Sequence, residues 1–257
     1  MKNIAGGLKV IVCSVLLCFG LPAFGQNISA QGNSVTFTGG YTTTWANNSG
    51  DYGAGIYSAT INGVTSSSGI ICDDFSDNIV TGETWTANAY QASSLASGNL
   101  SNTLFGTTGT NPIGITGYAE VATLVSMMFS GSNTYAGVTG TITQAEISSA
   151  IWDVTLGGTP TSLQGLDQTA KNLVAAVEAA FSGNTSKAAN YLDSLTNLWI
   201  LVPTSPWPQG QGRPQEMWTQ GIPEGGAALM YLLLAGISCF GAMWFSSRNQ
   251  SGRRVAA

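Results

Sequence analysis

The residues able to do chemistry in this chain are few, and their types narrow what that chemistry could be. The 257-residue sequence contains no histidine, which removes Ser-His-Asp and Cys-His catalysis and histidine-based zinc sites. The stretch "GIICDDFSDN", 69–78, sets Cys72 directly before Asp73 and Asp74. A thiol becomes a nucleophile beside a base or a cation, whereas two carboxylates oppose the thiolate and raise its pKa. Adjacent aspartates on a strand face opposite ways, so Asp73 and Asp74 do not make a carboxylate pair across one bond. Glu120, Glu146 and Asp153 fall on two helical segments, at spacings that suit solvated positions no less than a convergent site. In "DDFSDNIVTGE", 73–83, Asp73, Asp74, Asp77, Asn78 and Glu83 are hard oxygen donors of the kind calcium takes. The spacing departs from an EF-hand loop, which needs glycine where Ile79 stands, and an Asp/Asn-rich turn between strands uses the same residues. The reading is therefore non-enzymatic, with no cofactor and no metal site, although a structural calcium ion is compatible with this turn.

The elements that must hold these residues come in two halves, giving an α+β class. Residues 30 to 115 alternate in short runs, "SVTFTGG", "YTTTW", "GIYSATI" and "ETWTANAY", and imply a β-rich N-terminal half, sandwich or barrel-like. Asn62-Gly63, between Ile61 and Val64, predicts a type I′ hairpin whose second strand delivers Cys72. On that strand Ile70 and Cys72 share one face and Ile71, Asp73 and Phe75 the other, so Cys72 is expected to point at a core. The period then changes. "YAEVATLVSMMF", "TQAEISSAIWDV", "SLQGLDQTAKNLVAAVEAAF" and "SKAANYLDSL" read as amphipathic helices, and "LWILV", 198–202, as a returning strand. The Pro/Gly/Gln-rich residues 203–221 read as a linker.

Both ends of the chain indicate export. Residues 1–25 have a basic start at Lys2 and Lys9, an apolar run from Val10 to Leu21, and a small-x-small site at Ala23-Phe24-Gly25, the pattern of a signal peptide. Lipidation at Cys18 is disfavoured by the bulky Leu17 before it. Ala227 to Phe245 would span about 28 Å as a helix, enough to cross a bilayer. Arg248, Arg253 and Arg254 follow, which leaves the C-terminus inside and residues 26–221 outside. That outer part carries twelve acidic residues against three basic ones, about −9, so nucleic acid is an improbable partner. It suits one domain of 26–202 or two small ones, ample for a core.

Ile222-Pro223-Glu224, the apolar 227–245 and the final arginines resemble the PEP-CTERM sorting tails of exosortase systems, although Gly225 stands where a second proline is usual. That resemblance, covering 222–257, implies an exosortase-like processing enzyme as partner. It also implies an inner-membrane stage before the surface or extracellular space, and a setting of envelope, biofilm or exopolysaccharide. A plain single-pass anchor reads the same hydropathy.

A second resemblance bears on Cys72. A cysteine on a strand, followed after a helical insertion by a helix bearing Ala150-Ile151-Trp152, resembles the thioester domains of bacterial surface adhesins. There a cysteine and a glutamine condense, with loss of ammonia, into an internal thioester. The family pattern places the glutamine two residues before Ala150, where this chain has Ser148, which cannot form that bond. Gln144, one helical turn earlier, is the remaining candidate partner and would need a shift of about 6 Å along the helix. The expected function is that of an exported surface or matrix protein, the alternative being a thioester-type or lectin-like adhesin. Protease added to spheroplasts is expected to digest residues 26–221 and spare the C-terminal arginines; the reverse protection pattern would overturn this topology.

Overall fold

The computed structural model describes residues 28–47, 50–75, 80–107, 111–156, 168–204 and 214–221. The expected signal peptide, the sorting residues Pro223, Glu224, Arg248, Arg253 and Arg254, the expected membrane helix 227–245, and Asp77 and Asn78 lie outside these. Among the described residues no helix is long and apolar enough to cross a membrane.

Seven strands form one antiparallel sheet: β1 (Asn33–Asn47), β2 (Gly50–Ile61), β3 (Val64–Thr65), β4 (Ile70–Cys72), β5 (Thr84–Gln91), β6 (Leu198–Pro203) and β7 (Met217–Gln220). The order β1-β5-β6-β7-β4-β2 closes on itself because β2 also pairs with β1, so of the two expected architectures the chain adopts the barrel. Alternation fills it. Val35 and Phe37, Tyr57, Ala59 and Ile61, Ile70 and Cys72, Trp85, Ala87 and Ala89, with Leu201 and Met217, form the interior cluster. Each buried branched side chain there contributes about 1.5–3 kcal/mol.

Ile71, Leu198, Ile200, Val202 and Trp218 point outward from β4, β6 and β7 into a second core shared with the helices. These are α1 (Gly114–Ser130), α2 (Gln144–Thr155), α3 (Gln168–Phe181) and α4 (Thr185–Asp193). Helix α1 touches the other three and is buried along most of its length, from Gly117 through Val125. It ends where Gly131 takes φ 66°, with Gly131 and Ser132 donating back to Met128 and Met127. Helix α2 begins on a capping box, Thr143 and Glu146 bonding each other's backbone, and packs against β1 and β2. It thereby carries its Ala-Ile-Trp segment to the barrel.

Three sequence expectations need correction. The runs "SVTFTGG" and "YTTTW" are one long strand, β1, kept continuous through three register shifts. The Asn62-Gly63 turn forms, with φ 52° and 78°, but its second strand is only β3. Cys72 arrives on β4, after Ser66 to Gly69 break the edge. The supposed linker 203–221 starts within β6 and ends in β7, a strand hydrogen-bonded on both sides, with Gln215 to Thr219 buried. Its Pro/Gly/Gln composition hid four residues of alternating sheet at its far end.

The β2–β4 junction that closes the barrel rests on the pair Tyr57–Ile70, and Gly69 enters it at φ 73°. A Cβ there would stand 2.4 Å from Ile56 Cγ2 and 2.6 Å from the Tyr57 carbonyl oxygen. Gly69→Ala is therefore expected to cost about 2–3 kcal/mol in urea denaturation. Gly63→Ala, with φ 78° but open space around it, is expected to cost about 1 kcal/mol.

Candidate functional site

The register shifts in the β1–β2 hairpin shape one end of the barrel. Phe37 pairs with Ala59, Gly39 with Ser58, Tyr41 with Tyr57 and Thr43 with Ala54, so extra residues fall first on β1 and then on β2. Such bulges bend a hairpin and re-aim its side chains. Here the bend, with Gly39 and Gly40 at φ 90° and 79°, opens a cleft of about 340 Å³.

Aromatic rings make its walls. Tyr57 meets Phe37 edge-on at 5.8 Å and donates its hydroxyl to the Gly53 carbonyl at 2.6 Å. Phe75 lies between Tyr52 and Trp152, with centroids 5.0 and 5.1 Å away. Tyr41, 51% exposed, lies over Gly53, where an added Cβ would come within 2.8 Å of its ring. Val80, 58% exposed, and Thr81 stand on the facing rim, and Gln215 completes the lining, its amide donating to the Asp74 carbonyl at 2.7 Å.

Cys72 sits behind this wall. It is 2% exposed, inside the barrel as its place opposite Ile71 implied. The thiol donates to the Asp74 carbonyl at 3.0 Å and accepts from the Asp74 N–H at 3.3 Å. Burial pushes its pKa well up, and the Asp74 and Asp73 carboxylates add to this; the Asp74 backbone and the Trp152 indole N–H oppose it. The same burial, with Cys72 and Tyr41 nearby, raises the Tyr57 phenol. A thiol held in its neutral form is a poor nucleophile.

The thioester candidates part here. Trp152 of the helix signature packs on Phe75, three residues after Cys72, but the Gln144 carboxamide accepts a hydrogen bond from the Thr42 hydroxyl on β1. Ser148 is likewise engaged, accepting the Gly55 N–H at 2.8 Å. Both side chains brace α2 against the hairpin.

The aspartates do not make a solvated turn, because both are buried. Asp73 meets Glu216, a residue concealed in the expected linker. Asp73 Oδ2 accepts the Trp218 indole N–H at 2.6 Å, while Glu216 accepts the Tyr118 hydroxyl at 2.6 Å and the Leu104 N–H at 2.7 Å. Burial raises the Asp73 pKa, and the charge of Glu216 raises it further. Both effects favour the protonated form of Asp73. Tyr118, buried beside the pair, is raised as well.

The calcium set does not gather among the described residues: Asp73 turns to Trp218 and Glu216, and Glu83 accepts the Val80 N–H of its own turn at 3.0 Å. No described group of three or more Cys, Asp and Glu residues is arranged to hold a metal ion. Of the helical acids, Glu146 closes the α2 capping box. Asp153 is half-buried, its pKa raised by burial against the charge of Lys171. Glu120, expected in solvent, is 8% exposed, and burial with Glu178 nearby lifts its pKa to about 7.

Sequence reading missed Tyr41, Tyr52, Tyr57, Gln215 and Glu216. The available signal was the density of tyrosine in "YTTTW" and "YGAGIY"; nothing local marked the strand after 213. A scan against protein-family models and searches of the curated proteins and the solved structures find no match to this chain.

Asp73 binds its proton more tightly folded than unfolded. Its contribution to stability is therefore complete below the ordinary carboxylate pKa of about 3.9 and declines as pH rises toward the folded value. Asp73→Asn keeps an acceptor for Trp218 and a donor for Glu216 without a titrating proton. It is expected to ease the fall of stability above pH 4 by up to about 1.4 kcal/mol per pH unit, one proton's worth, measured by denaturant midpoints from pH 4 to 8. The slope left by Glu120 remains.

Proposed function

We propose that this protein is an exported, non-enzymatic surface or matrix component, sorted by an exosortase-type enzyme, whose barrel domain binds a ligand in the aromatic cleft. The cleft carries the reading. Its rim leaves large apolar groups, Tyr41 and Val80, in water beside a concavity, and such patches on a folded surface mark contact sites more often than packing defects. Export and sorting rest on the signal-peptide pattern at 1–25 and on Pro223, Glu224 and the arginines after 245. In that location the partners are the processing enzyme, the membrane during sorting, and extracellular polymer or a neighbouring surface.

A thioester-type adhesin is the second reading, favoured by the packing of Trp152, from the Ala-Ile-Trp signature, on Phe75, three residues after Cys72. It requires the Gln144 carboxamide to leave Thr42 and reach the sulfur, a Cys72 Sγ–Gln144 Cδ bond then forming as ammonia departs.

Native cells exporting the wild type and Tyr41→Ala at equal levels test the cleft. Retention in washed extracellular material is expected to fall at least threefold in the variant, and equal retention would overturn the binding role. Intact mass decides the second reading. A full sequence mass with one thiol that labels only after denaturation fits a buried packing cysteine; a mass short by one ammonia, with a thiol released by methylamine, would establish the thioester.

A further inference from the structure

We propose that the cleft takes an uncharged saccharide, a sugar face lying on the exposed Tyr41 ring beside the Tyr52–Phe75 aromatic run and its hydroxyl edge meeting Gln215 and Thr81. This rests on the reading of the cleft as a binding site and specifies its ligand by chemistry.

Among the described residues, the lining includes no charged side chain. An ionic ligand would give up water there with no counter-charge to meet it, a costly exchange, and an anionic one would also approach a domain of about −9. A wholly apolar ligand fits no better, because the wall is mixed: rings alternate with the Gln215 carboxamide, the Thr81 hydroxyl and the peptide groups of Gly40 and Gly53. A sugar has this same division. Its axial C–H groups form an apolar, slightly positive face that suits the negative face of an aromatic ring, and its hydroxyls lie around the edge.

A quaternary ammonium group is the other ligand that aromatic rings attract. It needs rings boxed around a point. Here Tyr52, Phe75 and Trp152 are packed in succession, tilted 56° and 49° to their neighbours, which makes a run along one wall. The volume, about 340 Å³, is at the lower end of small-ligand sites, about 300–1,000 Å³, so the cleft grips a short part of a longer chain.

Gly53 sets the geometry of the exposed platform. Its missing side chain lets the Tyr41 ring settle against the backbone, and a methyl group there would push the ring outward. Tyr41→Ala and Gly53→Ala thus perturb the site in different ways, one removing the ring and one displacing it.

The full chain, purified in a detergent without a sugar headgroup, is applied to immobilised neutral hexose, deoxyhexose and N-acetylhexosamine oligosaccharides, to uronate oligosaccharides, and titrated with tetramethylammonium. Tryptophan fluorescence and retention are both read. Saturable binding to a neutral oligosaccharide, with a dissociation constant on the order of 0.1–1 mM, is expected. It should weaken at least fivefold in Tyr41→Ala and Gly53→Ala, and little in Tyr41→Phe, with unchanged circular dichroism in each. Binding of only the uronates or the ammonium ion, lost in Tyr41→Ala, would overturn the saccharide assignment and leave the binding site standing. If no probe binds, or none depends on Tyr41, both the assignment and the site fall.

Discussion

Two carboxyl groups sealed from water in contact with each other cannot both be charged, and the arrangement around Asp73 and Glu216 follows from that constraint. Burial and the charge of Glu216 favour a protonated Asp73, and three of the four carboxyl oxygens take donors from three directions: the Trp218 indole, the Tyr118 hydroxyl and the Leu104 N–H. The Asp73 backbone carbonyl accepts the Thr155 hydroxyl as well, at 2.7 Å. Strands β4 and β7, helices α1 and α2, and the loop before α1 are thereby fixed to one point. Burying two like acids costs free energy unless their oxygens are hydrogen-bonded. The consequence here is positional: removing the Asp73 side chain leaves the Trp218 indole N–H without its acceptor, and removing that of Glu216 leaves the Tyr118 hydroxyl and the Leu104 N–H without theirs.

From that point the cleft follows by short chain connections. Asp74 and Phe75 continue from Asp73, and Gln215 precedes Glu216. The residues that lead out of the carboxyl pair are those that present a ring and a carboxamide to the cleft. The rest of the lining has a separate origin, in the bulged hairpin of β1 and β2. Bulges place Tyr41 beside Tyr57 and set Tyr52 toward Phe75, while Thr42 and Gly55 hold α2 by donating hydrogen bonds to Gln144 and Ser148. Trp152 extends the row of rings past Phe75. A hydrogen-bonded frame thus surrounds an aromatic concavity whose described lining is uncharged.

Cys72 takes its meaning from the same frame. It packs among Ile70, Tyr57 and Met217 inside the barrel, and its sulfur is occupied by the Asp74 backbone. The helix that in shape resembles a thioester partner is present, yet its polar side chains are joined to the hairpin. Ser148 makes a hydrogen bond at the position where the resemblance calls for a glutamine. The small hydroxyl fits the close approach of α2 to Gly55, where even one added carbon would meet Thr42 and Gln144.

Local pattern determined much of this protein. Alternation in β1, β2 and β5, the Asn62-Gly63 turn, the 3.6-residue period of the four helices, the strand at 198–202 and the inward side of Cys72 are all short-range properties, fixed by which residues recur at which spacing. Barrel closure was not legible, since alternation does not say which edges pair. The last strand was hidden because four residues after a Pro/Gly-rich run carry too little pattern, and its place between β6 and β4 depends on partners far away in sequence. The burial of Asp73, Glu216 and Glu120 was decided for the same reason: a carboxylate's neighbours in the chain do not reveal that a tyrosine, an indole or a second acid will meet it. The cleft, too, belongs to tertiary structure, because its rings come from β1, β2, the turn after β4, and α2, and only the bulged, closed sheet brings them to one wall.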